Sequence, residues 1–220
     1  MAQIHGVILD IDGTLVNSND ATANAWVEAM KDYGYDVPFE KIRPLIGMGG
    51  DRVLPETIGV EKESHIGKQI STRRKQIYKD RYLPTLQAFP GAKALLQEMR
   101  KHGLKLAVAT SAEEDEAKAL LKIVGAEDLI DVQTTAYDVK SSKPSPDMIH
   151  VTLERIGYSP DEVVMLADTA YDIEAAKNAG VVTIALRCGG WKDTDLAGAI
   201  AIYNDPADLL VHYQSSPLMK

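Results

Sequence analysis

The chain has 220 residues, of which 45% are hydrophobic and 25% are charged, and its formal net charge is −8; this composition is typical of a folded globular protein and excludes a disordered chain. No apolar run is long enough to span a membrane, and the acidic balance argues against non-specific binding of nucleic acid. The single cysteine, Cys188, excludes an intrachain disulfide, and the amino terminus has no signal-peptide pattern, so the sequence favours a cytoplasmic protein.

The first predicted element is a buried strand over residues 5–11, which ends at the turn signal Asp12-Gly13. From about residue 19 to residue 82 the apolar side chains recur at helical spacing instead, and no strand-like run interrupts them. This stretch therefore predicts a small all-helical module, which we place at residues 16–86 and call the cap.

The remainder of the chain alternates between helical and strand-like patterns. The predicted helices span residues 90–102, 113–124, 146–156, 171–179 and 206–212, and the predicted strands span residues 104–109, 130–134, 163–167, 181–186 and 199–203. Apolar strands that alternate with helices predict a parallel sheet covered on both faces. Because the first strand fits this pattern, we expect a doubly wound α/β core of residues 1–15 and 87–220, with the cap inserted after its first strand.

Polar side chains follow three of these predicted strands, where a parallel sheet binds its ligands. They are Asp10 and Asp12, Thr110 and Ser111, and Asp168 with Asp172 four residues later; Lys143 lies in a loop between them. Carboxylates crowded at one edge repel one another, and a hard cation such as Mg²⁺ relieves that conflict while binding phosphate oxygens. The pattern predicts metal-assisted chemistry on a phosphate, with Lys143 neutralising the remaining negative charge.

These motifs carry a family resemblance. The segments are Asp10-Ile11-Asp12-Gly13-Thr14-Leu15, Thr110, Lys143-Pro144 and Asp168-Thr169-Ala170-Tyr171-Asp172. In order and spacing they resemble the four motifs of the haloacid dehalogenase (HAD) superfamily, over nearly the whole chain. The closest resemblance is to the branch of phosphoglycolate phosphatases and β-phosphoglucomutases, which implies a Rossmann-like core, an all-helical cap and Mg²⁺ as cofactor.

The resemblance also implies a role for each matching residue. Asp10 is expected to attack phosphorus and form an aspartyl-phosphate, and Asp12 to act as general acid and then as general base. Thr110 would hydrogen-bond a phosphoryl oxygen, and Lys143 would neutralise the nucleophile and the phosphate. The expected metal ligands are Asp10, Asp12 through its carbonyl group, Asp168 and Asp172.

Substrate contacts are predicted less directly. Gly13, Thr14 and Ser111 stand next to the catalytic motifs, and Arg52 in the cap is a candidate cation for an anionic substrate. We expect the cap to close over the core as a lid. The expected partner is a small phosphorylated metabolite, with no nucleic acid and no membrane, bound by a monomer or homodimer.

Three functions compete. Asp12 argues against a dehalogenase, which needs no acid for its leaving group, so a phosphatase and a sugar phosphomutase of the β-phosphoglucomutase type remain. The mutase-like branch usually carries a histidine in the first cap helix, where this chain has none at Thr22 or its neighbours, and an arginine in the cap loop, from which Arg52 is offset. The phosphatase is therefore preferred. The alternative from another class is a non-catalytic protein that keeps the metal and phosphate site.

Overall fold

The structure, a computed structural model that describes residues 3–219, contains an α/β unit and a helical unit. The α/β unit comprises the chain up to Asn17 and from Gln87 onward, and the helical unit is Ser18–Leu86. The helical unit interrupts the chain soon after the first strand, and every later strand belongs to the α/β unit.

The α/β unit is built on a parallel sheet that has six strands within residues 3–219, in the order β3-β2-β1-β4-β5-β6. The strands are β1 Gly6–Leu9, β2 Lys105–Ala109, β3 Val132–Thr134, β4 Val163–Ala167, β5 Val182–Leu186 and β6 Ala201–Tyr203. In register, Gly6 of β1 faces Lys105 of β2 on one side and Val163 of β4 on the other. The strand order reverses beside β1, and such a switch point opens a crevice at the carboxyl edge of the sheet.

Helices connect the strands and cover the sheet. In the α/β unit they are α5 Ala92–Lys101, α6 Glu114–Val124, α7 Asp147–Ile156, α8 Ala170–Asn178 and α9 Pro206–Val211. Gly125 and Gly157 end α6 and α7 in the left-handed conformation, which glycine adopts without a steric penalty. The predicted doubly wound α/β fold is confirmed.

The strands in the middle of the sheet are apolar throughout because both of their faces are covered. All residues of β1 and β4 are buried, and Ile8 and Met165 lie in a core cluster with Met148 and Ile149 of α7 and Ala175 of α8. Residues that follow these strands are thereby held on a rigid base.

The helical unit contains α1 Asn19–Asp32, α2 Phe39–Ile42, α3 Gly50–Ile58 and α4 His65–Ile77. Its core includes Trp26, Leu54 and Ile70. The buried Arg74 guanidinium lies 5.6 Å from the Trp26 ring centroid and 4.7 Å from that of Tyr78, distances at which a cation is attracted to an aromatic face. The apolar core of the helical unit therefore contains the charged side chain of Arg74, whose burial the helical periodicity of the sequence did not indicate.

Most predicted elements are longer than the observed ones by one or two residues at an end. The clearest case is the first strand, expected over residues 5–11 and observed as Gly6–Leu9. Asp10 still donates its N–H to the Leu166 carbonyl at 3.0 Å, but the chain then turns at Gly13, where φ is +77°. Among residues 3–219, no helix is both long and apolar enough to cross a membrane.

Candidate active site

The main predicted site residues of the α/β unit come from the ends of three neighbouring strands and from two segments beside them. Asp10 directly follows β1, and Asp168 directly follows β4, the strand beside it. Thr110 directly follows β2 on the other side of β1. Asp172 lies in the first turn of α8, and Lys143 lies in the turn before α7. Because the strands are parallel, their carboxyl ends meet at one edge, so residues far apart in the chain come together there.

Three of the predicted carboxylates form one cluster. One oxygen from each of Asp10, Asp168 and Asp172 lies within 4.8 Å of the others. Lys143 binds two of them, with its Nζ 2.6 Å from Asp10 Oδ1 and 2.6 Å from Asp172 Oδ1. All four side chains are buried, with Lys143 only 1% exposed. The sequence predicted these residues at one edge, and the structure brings them within a few ångströms of one another.

The charges in this cluster do not balance, since three carboxylates face one ammonium group. Burial raises the pKa of the Asp10 carboxyl, Lys143 opposes that rise, and Asp172 and Asp12 add to it. Burial by itself would lower the pKa of Lys143, but Asp10 and Asp172 raise it above its ordinary value. Lys143 is therefore held as a cation, and excess negative charge remains among the carboxylates.

A hard divalent cation fits this donor set. Its ligands in proteins are carboxylate and carbonyl oxygens, which the cluster of Asp10, Asp168 and Asp172 supplies within a few ångströms. Its charge would also lower the pKa of Asp10 and keep that side chain ionised. Asp12 lies outside the carboxylate cluster found within residues 3–219, so its expected ligand role through the backbone carbonyl stays a prediction.

Two threonine hydroxyls orient the carboxylates. Thr14 Oγ1 lies 3.0 Å from Asp168 Oδ1 and 3.3 Å from Asp10 Oδ2. Thr14, which we expected to contact substrate, therefore donates to the acidic cluster. Thr169 caps α8: its Oγ1 donates to Asp172 Oδ2 at 2.5 Å and accepts the Asp172 N–H at 3.2 Å, a reciprocal pattern that fixes both side chains. Thr169 was missed as a site residue, although Thr169-x-x-Asp172 is a readable capping signal.

The remaining predicted site residues are not members of the carboxylate cluster, and each has its own environment. Thr110 is buried, and its Oγ1 accepts the Ala112 N–H at 3.1 Å, which leaves its hydroxyl proton for another acceptor. Gly13 is buried, whereas Asp12 and Ser111 are partly exposed. Arg52 is exposed on α3 of the helical unit, and its role as a substrate-binding cation stays a prediction.

The lone cysteine gives a test of the local packing. Burial raises the pKa of the Cys188 thiol, with further contributions from Asp168 and Asp205, and the Cys188 Sγ donates to the Gly13 carbonyl at 3.3 Å. Because the thiolate is the reactive form, we expect folded protein at pH 8 to react with iodoacetamide at least about tenfold more slowly than protein unfolded in urea. Equal rates in the two states would contradict this packing, and a Cys188→Ala variant provides the blank.

Comparisons with known proteins agree with the observed fold. A family model described as haloacid dehalogenase-like hydrolase matches residues 7–186. The pyrophosphatase PpaX of Bacillus cereus (strain AH820) is 28% identical over 186 residues, which cover 84% of this chain and 83% of the relative. The solved structure of a hydrolase from Pseudomonas syringae is 32% identical, with a TM-score of 0.88 and coverage of 96% of this chain and 98% of that one.

A second solved structure carries a mutase name. It is a putative β-phosphoglucomutase from Thermotoga maritima, 26% identical to this chain, with a TM-score of 0.72 and coverage of 97% of this chain and 100% of its own. The names of these similar proteins thus include a pyrophosphatase and a phosphoglucomutase. Because the family model spans most of the sequence and the fold agrees along its length, the chain belongs to the haloacid dehalogenase-like hydrolase family.

Proposed function

We propose that this protein is a Mg²⁺-dependent phosphatase that hydrolyses a small phosphorylated metabolite through an aspartyl-phosphate on Asp10. The observation that carries the proposal is the buried cluster in which Lys143 bridges Asp10 and Asp172 at 2.6 Å beside Asp168. This arrangement pairs the Asp10 carboxylate with the Lys143 ammonium group and leaves excess negative charge that a divalent cation would balance; phosphoryl transfer depends mainly on such positioning and charge stabilisation.

In the first proposed step, a carboxylate oxygen of Asp10 attacks phosphorus, and the bond from phosphorus to the ester oxygen breaks. Asp12 donates its proton to that departing oxygen. Asp12 lies two residues after Asp10 beyond the end of β1 and is partly exposed, so it is able to exchange protons with a bound substrate or water. Thr110 donates its hydroxyl proton to a phosphoryl oxygen.

In the second step, Asp12 accepts a proton from water, whose oxygen attacks phosphorus and breaks the bond to Asp10. Free phosphate leaves, and Asp10 returns to its carboxylate form. The residues that would hold Mg²⁺ are Asp10, Asp12 through its carbonyl group, Asp168 and Asp172. When bound there, Mg²⁺ supplies positive charge that stabilises the phosphoryl oxygens in the transition state.

We assign substrate selection to the helical unit, with Arg52 as the candidate cation for the part of the substrate that is not transferred. The helical unit holds nearly equal numbers of acidic and basic residues, whereas the α/β unit carries most of the chain's negative charge. A basic residue in the helical unit is therefore well suited to attract an anionic metabolite. The same proposal includes closure of this unit over the substrate and a cytoplasmic location.

The proposal is tested by measuring phosphate release from p-nitrophenyl phosphate, a panel of sugar phosphates and small phosphorylated acids, and inorganic pyrophosphate. We expect turnover with Mg²⁺ and a loss of about a hundredfold or more with EDTA, because several kcal/mol of charge stabilisation disappears with the cation. Adding back Mg²⁺ should restore the rate. The absence of turnover on the whole panel, above that of an Asp10→Asn control, would reject the phosphatase and favour a non-catalytic binding protein.

The second candidate is a sugar phosphomutase, favoured by the similarity to the putative β-phosphoglucomutase from Thermotoga maritima. A mutase would interconvert sugar phosphates while releasing little free phosphate, so following sugar phosphates by ³¹P NMR in the same reactions separates the two functions. The phosphatase is preferred because Thr22 and its neighbours, none of which is a histidine, stand where the mutase-like branch usually has that residue, which gains and loses a proton near neutral pH.

A further inference from the structure

The backbone of Gly189 lies directly against the Asp168 carboxylate. A Cβ atom built on Gly189 would fall 1.7 Å from Asp168 Oδ2 and 2.4 Å from its Cγ, which is less than any non-bonded contact allows. Gly189 ends a single 3-10 turn, Arg187–Gly189, and it is the next residue, Gly190, that has a positive φ of +91°. Glycine is thus required at position 189 for the space it leaves rather than for an unusual backbone conformation.

The two oxygens of Asp168 are therefore held from two sides. Thr14 Oγ1 donates to Oδ1 at 3.0 Å, and the Gly189 backbone limits where Oδ2 lies. Asp168 and Gly189 are both completely or nearly completely buried, so solvent offers the carboxylate no alternative position. Its location in the cluster with Asp10 and Asp172 depends on both of these neighbours.

The segment that carries Gly189, residues 187–191, is anchored at each end; we call it the β5 loop. Arg187 pairs with Asp193, at 2.6 Å from Nε to Oδ1, and donates to Asn204 at 3.0 Å. At the other end the Trp191 ring meets the Tyr171 ring edge to face, with centroids 5.6 Å apart and planes at 89°, and Trp191 packs on a small apolar cluster. These contacts hold the β5 loop in place next to the Asp168 carboxylate.

A thiol ties the same loop to the motif after β1. Cys188 Sγ donates to the Gly13 carbonyl at 3.3 Å, and Gly13 lies between Asp12 and Thr14. The β5 loop thus contacts the segment after β1 through Cys188 and the residue after β4, Asp168, through Gly189.

We propose that the β5 loop is a positioning element of the cation site, and that the contact of Gly189 with Asp168 sets where that carboxylate lies. The inference rests on the proposed function in one respect, namely that a divalent cation binds the cluster of Asp10, Asp168 and Asp172. In this proposal the role of Gly189 is positional, because it acts through Asp168.

The first experiment measures cation binding without any turnover. Isothermal titration calorimetry with Mn²⁺ and with Mg²⁺ compares the unmodified protein with Gly189→Ala. The variant is expected to bind either cation about 10–100-fold more weakly, the range for residues that orient metal ligands. The control is Gly103→Ala, whose Cβ meets no atom within 4 Å but which strains a positive φ of +81°, so it shows whether backbone strain without contact to Asp168 weakens cation binding.

A second experiment covers the case in which Gly189→Ala folds poorly. Thermal unfolding in EDTA is measured for Gly189→Ala, Asp168→Ala and the double variant. Removal of the Asp168 carboxylate makes room for the methyl group that Gly189→Ala adds. Gly189→Ala should therefore lower the melting temperature of the unmodified protein and lower that of the Asp168→Ala variant much less. A coupling of this kind is what a direct contact produces.

The outcomes are separable. The inference is overturned if the Gly189→Ala variant binds Mn²⁺ as tightly as the unmodified protein. It is also overturned if Gly189→Ala lowers the melting temperature of the Asp168→Ala variant as much as it lowers that of the unmodified protein. Failure of the unmodified protein to bind either cation would instead count against the proposed Mg²⁺-dependent function, while the unfolding cycle would still decide whether Gly189 positions Asp168.

Discussion

Replacing Asp10 by asparagine is expected to abolish hydrolysis of every phosphate ester that the protein accepts, with kcat lower by about 10⁴-fold or more, as when an enzyme loses its nucleophile. Asparagine has nearly the same size and shape, so the change removes the negative charge while leaving the packing around Lys143 and Thr14 in place. The measurement is phosphate release with saturating Mg²⁺, for an aryl and an alkyl phosphate.

The matching change at Asp12 should behave differently. Asp12→Asn removes the proton donor and acceptor, so kcat for alkyl phosphates should fall by about 10²–10⁴-fold. An aryl phosphate has a leaving group that needs little protonation, and we expect a burst of one equivalent of p-nitrophenol as aspartyl-phosphate accumulates on Asp10. Trapping that adduct by mass spectrometry identifies the nucleophile directly.

The control for both variants is Asp161→Asn, the same substitution at an exposed carboxylate, which should leave turnover unchanged. The assigned roles would be wrong if Asp10→Asn retained more activity than Asp12→Asn on the aryl phosphate, or if Asp12→Asn gave steady turnover without a burst.

Removing the buried ammonium group should destabilise the fold strongly. Lys143→Met keeps much of the side-chain volume but leaves Asp10 and Asp172, both contacted at 2.6 Å, without their shared cation. Breaking a buried ion pair from one side costs about 3–5 kcal/mol of unfolding free energy. Urea unfolding at pH 7 in EDTA measures it. The control is Lys140→Met, the same change at an exposed position shortly before Lys143, expected to alter stability by no more than about 0.5 kcal/mol.

The stability lost in Lys143→Met should depend on pH, and the direction of that dependence follows from the raised pKa of Asp10. Without Lys143 the pKa of Asp10, already raised by burial, rises further in the folded state. A carboxyl group with a raised folded-state pKa binds a proton more readily when folded, so its contribution to stability is lost as pH rises and recovered as pH falls. The difference between Lys143→Met and the unmodified protein should therefore be smaller at pH 5 than at pH 8. Equal stability of Lys143→Met and Lys140→Met at pH 7 would contradict the inference that Lys143 compensates the buried charges of Asp10 and Asp172.

Residues that directly follow a buried strand could be predicted from the sequence. Asp10 and Asp168 stand immediately after the apolar runs that form β1 and β4, and parallel strands end at one edge whatever their order in the sheet. The helical insertion was also predictable, because a change from strand-sized apolar runs to helical spacing needs no knowledge of tertiary contacts. The strand ends were predicted less well, since where a strand stops depends on hydrogen bonds to its neighbours.

Contacts between distant residues had no such local signal. The hydrogen bond from Thr14 to Asp168 joins residues 154 positions apart, and Thr14 was predicted to contact substrate because it stands next to the catalytic motif. Helical periodicity gave no sign that Arg74 is buried, yet its side chain lies against two aromatic rings. Gly189-Gly190 has the appearance of an ordinary turn, and nothing in the sequence indicates that the first of these glycines faces a carboxylate.

The sequence by itself therefore determined the fold class, the family and the acidic and basic groups that meet at one edge of the sheet, because strand and helix periodicity and motif order are local properties of the chain. Only the tertiary structure decided that Lys143 bridges Asp10 and Asp172, that Thr14 orients Asp168 and that Gly189 leaves the space Asp168 occupies. These contacts depend on the order of six strands and on distances of a few ångströms between segments far apart in the chain, and such distances are set by packing of the whole unit rather than by any stretch of residues.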